Sequence, residues 1–404
     1  MTGQGVGPNN DLTVRRCMLK QSPSTPVSFM ISSLETSARP RILLVGNYRP
    51  DRQSSMERYA DMLRKGLEAR GFDVGFIRPE KVIGGGVEGG ALRKWLGYVD
   101  KYLIFPWRLR RAARGYERVH ICDHSNAMYL PSVGRRASIT CHDLIAVNAA
   151  LGRYPGHPVG VAGRVLQRWV LRHLQSATRI VSVSTKTEMD LRALGCPGES
   201  RVIGNCLNFD FHRVGAEDIA AAKARCGLAT DEAYLVHVGG NQWYKNRIGV
   251  VKIFAELLKT ERFSTTRLVM VGKSWPRALQ DLVEELGLGE KVIRCTGASN
   301  EDVRALYSGA DALLFPSLEE GYGWPVLEAQ SCGCLVITSD RPPLTEVAGE
   351  AAVFVDPEDP AAAARAIAEA TPRFDDLRAR GPANAARYDV QTIMDAYARY
   401  LLED

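Results

Sequence analysis

The side chains of this sequence best placed for chemistry fall in one nonapeptide, Glu320-Gly321-Tyr322-Gly323-Trp324-Pro325-Val326-Leu327-Glu328. Glycines at 321 and 323 let the backbone approach a ligand closely, and Pro325 presets the first turn of a helix. The free N–H groups of that turn, reinforced by the helix dipole, favour a phosphate. Glu328 falls in the first turn, where a carboxylate can accept bonds from ribose hydroxyls. Glu320 precedes the loop and can reach a sugar hydroxyl. A loop that only caps a helix would account for two acids at this spacing, but not for the glycines and proline between them.

Lys245 follows the Gly239-Gly240 turn at the C-terminal end of a strand, where open α/β sheets place their ligands. An ammonium there suits a diphosphate and would stabilise charge building on a leaving group. His142-Asp143 ends another strand in the first half of the chain and from there would line a cleft opposite the donor. The plain alternatives are a solvated lysine ahead of a helix and a structural His–Asp hydrogen bond.

Such positions need a scaffold of alternating strands and helices. Ile42-Leu43-Leu44-Val45 is an apolar run of strand length, and Met56, Tyr59, Ala60, Leu63 and Leu67 follow at helical spacing before a second strand at 72–77. This β-α-β opening implies a parallel sheet covered on both faces. Further strands are expected at 118–122, 138–141 and 179–183, with a helix over 161–175. A second series begins with a strand at 234–238 and continues with strands at 267–271, 291–295, 312–315 and 335–338. Helices are expected between them at 247–258, 277–286, 301–308 and 325–331. The segment 205–215 has no clear period and suits an interdomain connection. An amphipathic helix over 390–402 closes the chain.

At 404 residues, with 45% hydrophobic and 24% charged residues, the chain fits two α/β domains. No apolar run reaches the roughly 20 residues a membrane span needs. Residues 1–40 are rich in Ser, Pro, Gly and Thr and read as a disordered tail. Nine cysteines without a CxxC spacing read as reduced cytoplasmic thiols. The net charge of +6 is too weak to imply a nucleic-acid partner. No Asp-x-Asp pair occurs, against a metal-bound diphosphate on that motif, and no Gly-x-Gly-x-x-Gly follows the first strand, against a Rossmann dehydrogenase.

With these motifs the chain resembles the retaining GT-B glycosyltransferases of family 4, the glycosyl transferases group 1, over roughly residues 41–401. The likeness is densest from Tyr234 to Asp359, through Thr296-Gly297, Tyr307, Ala310-Asp311, Phe315-Pro316-Ser317, the glutamate motif, Glu346-Val347 and Asp356-Pro357. It implies two doubly wound Rossmann-like domains facing a cleft, with a C-terminal helix crossing back to the first. The expected boundaries are an acceptor domain at 41–207, a donor domain at 208–375 and the crossover helix at 376–404. The resemblance further implies ribose on Glu328, donor sugar on Glu320, diphosphate on Lys245, and His142 beside donor sugar and acceptor. Gly239, Gly240, Thr296, Gly297, Gly321, Tyr322, Gly323 and Val326 complete the expected donor site, with His142, Lys245 and Glu320 as the catalytic residues.

Metal independence, no cofactor and retention of configuration are part of the same expectation, with a UDP- or GDP-sugar as substrate. The Lys245-Asn246 form resembles that of mannosyltransferases and points to GDP-mannose. A glycan or lipid-linked acceptor in polysaccharide assembly is the expected partner. A GT-B sugar-nucleotide epimerase and an inactive GT-B binding module are the rival readings.

Three departures from the family pattern stand out. Asn241, Gln242, Trp243 and Tyr244 occupy the stretch where a second cation is usual. The interdomain Asn-Gly-Val-Asp pattern reads Asn205-Cys206-Leu207-Asn208. Asp51-Arg52-Gln53-Ser54-Ser55 replaces a glycine-rich loop after the first strand, leaving Asn47 as the expected acceptor-side residue there. Finally, 92–114 carries seven cations against one acid, interleaved with Trp95, Tyr98, Tyr102, Phe105 and Trp107. The segment reads either as a helix packed on the core, interrupted at Pro106, or as a membrane-docking element with Arg108, Arg110, Arg111 and Arg114 reaching anionic lipid. The second reading would place a cytoplasmic protein on the inner face of the cell membrane.

Overall fold

The computed structural model describes residues 39–51, 53–83 and 96–403. The expected tail lies outside them but for its last two residues, as do Leu92–Trp95 of the basic segment.

In the first half the order is β1 (Arg41–Val45), α1 (Ser54–Glu68), β2 (Asp73–Ile77), α2 (Phe105–Ala112), β3 (Arg118–Ile121), β4 (Ala137–Cys141), α3 (Val161–Leu174), β5 (Arg179–Ser182), α4 (Thr185–Ala193) and β6 (Glu199–Val202). The strands form one parallel sheet in the order β2-β1-β3-β4-β5-β6. The second half runs α5 (Ala216–Arg225), β7 (Tyr234–Gly239), α6 (Arg247–Leu257), β8 (Arg267–Gly272), α7 (Arg277–Glu285), β9 (Val292–Cys295), α8 (Asn300–Gly309), β10 (Ala312–Phe315), α9 (Trp324–Ser331), β11 (Leu335–Ser339), β12 (Ala352–Val355), α10 (Pro360–Ala370), α11 (Phe374–Ala385) and α12 (Val390–Leu402). Its parallel sheet has the order β12-β11-β10-β7-β8-β9. This is the GT-B architecture that the sequence implied.

Central strands such as β10, Ala-Leu-Leu-Phe, are buried along their whole length because helices cover both faces. Strand order reverses between β1 and β3 in the first sheet and between β7 and β10 in the second. A crevice opens at the C-terminal ends of strands that diverge in this way. The loops after β1, β3, β7 and β10 therefore border a candidate crevice in each sheet.

Helix α12 returns to the first sheet. Its Ile393, Met394, Tyr397, Tyr400 and Leu401 join Tyr59, Leu63 and Leu67 of α1 in one buried cluster. The Tyr59 hydroxyl bonds that of Tyr397 at 2.6 Å, and Arg70 pairs with Asp395 at 2.6 Å. Helix α11 stays with the second sheet, where Asn384 Nδ2 donates to Gln330 Oε1 at 2.7 Å. The chain thus crosses at Ala386–Asp389, later than residue 376.

Two expectations are corrected. Cys226, after α5, pairs with Cys295, at the end of β9, with Cα atoms 5.5 Å apart, so not every thiol is reduced. Their 69-residue separation left no spacing signal. Pro106 does not interrupt the helix. The chain stays helical through Pro106, with a π-helical turn at Asp100–Ile104 directly before α2, where the wider turn accommodates the proline ring and its missing N–H.

Candidate functional site: a cleft at two strand-order reversals

Lys245 and Glu320 come from the two loops flanking the reversal in the second sheet, and they meet. Lys245 Nζ lies 2.7 Å from Glu320 Oε1, with Glu320 almost fully buried. The ammonium also lies 5.1 Å from the Phe315 ring centroid. Its backbone is set by Asn246, which adopts a left-handed conformation (φ 52°) and caps α6 by accepting from Gly249 N–H at 3.2 Å. The Asn246 amide nitrogen donates to the carbonyls of Pro316 (3.0 Å) and Pro357 (2.9 Å). Asn246 thereby fastens the loops after β7, β10 and β12 together. Its side chain serves the backbone, so the Lys245-Asn246 form carries less about donor identity than the sequence suggested.

The glycine loop fits a tight space. A Cβ at Gly321 would fall 2.0 Å from the carbonyl oxygen of His142 and 2.8 Å from Asp143 Cβ. Gly323 has φ +110°, and a Cβ there would meet Leu344 Cδ2 at 2.6 Å. Helix α9 starts at Trp324 without a side-chain cap, leaving its N-terminus available to an anion. Glu328 lies one turn in and accepts from the Tyr307 hydroxyl at 3.1 Å. Burial pushes its carboxyl up to about 7, against the Tyr307 bond and the charges of Arg58 and Lys245. Arg58 belongs to α1, so the first domain also acts on this pocket.

Not every expected donor residue offers its side chain to the cleft. Tyr322 is buried, with its hydroxyl donating to the carbonyl of Asn205 at 2.6 Å, and Trp324 Nε1 donates to that of Cys206 at 3.0 Å. Both tie the loop to the interdomain connection. Val326 is wholly buried in the core, and its N–H donates to the Gly323 carbonyl at 3.0 Å. Gly239 and Gly240 end β7 beside Lys245, whereas Thr296 and Gly297 are exposed after β9, the edge strand.

Across the cleft, His142 is buried, and its Nε2–H donates to the carbonyl of Cys122 at 2.8 Å. Burial lowers its pKa, with Asp123 opposing, so the ring is neutral. At the first reversal Asn47 bonds Asp123 and Gln53, and Asn126 Nδ2 donates to Asn47 Oδ1 at 3.0 Å. Ser184 Oγ donates to the Gly321 carbonyl at 2.9 Å and Lys186 pairs with Glu319 at 3.3 Å, so the two halves touch around the glycine loop. Trp243 extends the contact, with the His157 ring stacked on it at 4.1 Å and Tyr154 at 4.9 Å.

Sequence reasoning missed Arg247. It lies two residues past Lys245, and its buried guanidinium bonds Asn241 and the Lys273 carbonyl (3.1 Å) while Nε and Nη2 have no partner. Burial lowers its pKa. The signal was there, a cation directly after the Lys-Asn pair. Among the described residues no group of three or more His, Cys, Asp or Glu could hold a metal. No described helix is long and apolar enough to cross a membrane.

Comparison with known proteins agrees with this fold. The glycosyl transferases group 1 family matches residues 218–380, and glycosyltransferase family 4 matches residues 56–211. The chain is 30% identical over 274 residues to O-antigen chain mannosyltransferase B of Escherichia coli, covering 66% of this chain and 69% of that protein. It is 31% identical over 173 residues to the O-antigen chain mannosyltransferase RfbU of Salmonella typhimurium, covering 43% and 48%. A D-inositol 3-phosphate glycosyltransferase of Nocardia farcinica is 30% identical over 208 residues, covering 50% and 45%. The match thus spans less than half the length of the latter two. Among solved structures, sucrose-phosphate synthase of Thermosynechococcus elongatus superposes with TM-score 0.70 at 19% identity, covering 89% of this chain and 98% of that one. Anabaena HepE in complex with UDP and glucose gives TM-score 0.67 at 16% identity, covering 89% and 98%. The chain belongs to the group 1, family 4 type of GT-B glycosyltransferases.

Proposed function

We propose that this chain transfers a hexose from a nucleotide-sugar donor to a glycan or lipid-linked acceptor in polysaccharide assembly, with retention of anomeric configuration and without a metal. The observation that carries the reading is the Lys245–Glu320 pair at 2.7 Å on the second sheet's strand-order reversal, beside the uncapped start of α9.

In this reading the donor diphosphate lies on the α9 N-terminus and Lys245, with Arg247 behind as the second cation. Glu328 accepts from the ribose hydroxyls. Glu320 holds the donor sugar and is fixed for that task by Lys245. Lys245 neutralises charge as the sugar–phosphate bond breaks, and the acceptor hydroxyl adds to the same face, passing its proton to the departing phosphate oxygen. His142 borders the acceptor side as a neutral ring. The two relatives named as O-antigen mannosyltransferases favour mannose as the sugar and a surface polysaccharide as the product.

A panel of UDP- and GDP-sugars, followed for both nucleotide and sugar, tests this. Nucleotide diphosphate released together with free or transferred sugar, undiminished by EDTA, is the expected result. Interconversion of the sugar on an intact nucleotide would mean an epimerase, and no change in any donor would mean a binding module.

A further inference from the structure

Helix α3 contains no acidic residue, and its outer surface is ordered. Val161, Val165 and Trp169 recur one helical turn apart, as do Arg164, Arg168 and Arg172 beside them. Its inner side is held by Val170 and Leu174 in the first domain's core. Val161 and Val165 are 70% and 63% exposed.

The segment 103–114 next to it has the same construction. Phe105, Leu109 and Ala113 pack inward, while Leu103 and Trp107 are 70% and 65% exposed. Arg110, Arg111 and Arg114 are exposed as well. Tyr102 meets Trp169 with ring centroids 5.1 Å apart, which joins the two helices into one surface.

Arg108 is paired with Glu80 at 2.9 Å and is not part of the free charge, against the sequence expectation. The other six arginines make no side-chain hydrogen bond or ion pair among the described residues. Exposed Leu, Val and Trp grouped together and rimmed by six unpaired cations mark an interaction surface. A polyanionic glycan would use the cations and leave the aliphatic side chains in water. An anionic bilayer uses both, with headgroup phosphates on the arginines and the apolar side chains at the acyl boundary.

We propose that α3 and the 103–114 segment together form a docking surface for an anionic phospholipid membrane. The surface adjoins the cleft. Four residues before Val161, His157 stacks on Trp243 at 4.1 Å, and Lys245 follows two residues later. Docking by this face brings the cleft mouth to the bilayer, where a lipid-linked acceptor is presented. That purpose rests on the proposed function, whereas the binding itself does not.

The test is sedimentation of the full chain with phosphatidylcholine vesicles and with vesicles in which part of that lipid is phosphatidylglycerol, at low and high salt. Two triple variants are compared with wild type, Arg164→Ser/Arg168→Ser/Arg172→Ser and Leu103→Ser/Trp107→Ser/Val165→Ser. Arg277→Ser, on the second domain, serves as control. Thermal melting and cleavage of soluble donor establish that each variant is folded.

Wild type and control should pellet with anionic vesicles only, and less at high salt. Each triple variant should bind roughly ten-fold more weakly or worse. Equal pelleting with both vesicle types, no pelleting of folded wild type, or binding unchanged in either triple variant overturns the surface. A protein that binds anionic vesicles as described but turns over no sugar nucleotide supports the surface and contradicts the proposed function.

Discussion

Glu328 shows how one buried carboxylate can report on the whole donor pocket. Its pKa, raised by burial from an ordinary 4.5 to about 7, means that the free protein holds it half protonated near neutral pH. Ribose hydroxyls donate to the ionised form. Nucleoside diphosphate affinity, measured by calorimetry, should therefore rise as pH increases through about 7 and then level off. The Glu328→Gln protein should lack the step attributable to this group. In the unliganded protein the sign is opposite. A raised folded pKa contributes stability that is present below about 4.5 and lost as pH climbs through about 7. Glu328→Ala should weaken nucleotide binding by about 1.5–3 kcal/mol, the range for bonds to a charged group. Lys245→Ala should act on turnover more than on affinity, lowering it by roughly 10²–10³, as loss of one charge-stabilising donor does. It also leaves Glu320 buried without its 2.7 Å partner. A loss confined to the Michaelis constant would instead mean that Lys245 binds ground and transition states equally.

The loops and helices that position these groups differ in how far they could be read in advance. Buried strands such as β10 and β11 were legible, because continuous apolar runs between turn residues have few other solutions. Edge strand β6 was not, because Glu-Ser-Arg-Val has no apolar run; β12, Ala-Val-Phe-Val, carries the same kind of signal as β10 and was overlooked. Helix α10 was missed because its alanine run carries little periodic signal, and α11 because Gly381-Pro382 falls inside it and reads as a break. The loop-to-helix turn between Glu320 and Glu328 was legible because the glycines and proline between the acids demand one. The inward roles of Tyr322 and Val326 depend on what packs around them, and nothing local encodes that. Gly321→Val places Cβ 2.0 Å from the His142 carbonyl oxygen, so the glycine loop must withdraw from the first domain. Donor cleavage should fall by at least about ten-fold, since positioning errors of an ångström cost rates on that scale or more. Nucleotide affinity should change little, because Glu328 and Lys245 remain on the second sheet. An equal loss of both would mean that the loop had collapsed onto the nucleotide site instead.

Taken as one molecule, the chain sets two sheets against each other, with contacts around the glycine loop, the Trp243 stack, α12 and the start of α4, where Thr185 N–H donates to Glu346 at 3.0 Å. The second sheet holds the groups suited to a diphosphate and ribose. The first supplies His142, Arg58 and the basic, aromatic surface of α2 and α3. Departure from the family pattern is concentrated where the halves meet, at Trp243 and at Asn205–Asn208, and there the structure shows contacts that motif reading could not anticipate. The proposed reaction is cleavage of a sugar–phosphate bond in the cleft, with Lys245 and Glu320 at its centre. It is tested most directly by ¹H NMR of the anomeric signals during turnover of the accepted donor by wild type, Lys245→Ala and Glu320→Gln. The expected result is loss of the nucleotide-sugar signal, a first-formed product with the donor's own anomeric configuration, and turnover at least about ten-fold slower in both variants. A first-formed product of inverted configuration would contradict the proposed mechanism, and wild-type turnover in both variants would remove the pair from the reaction.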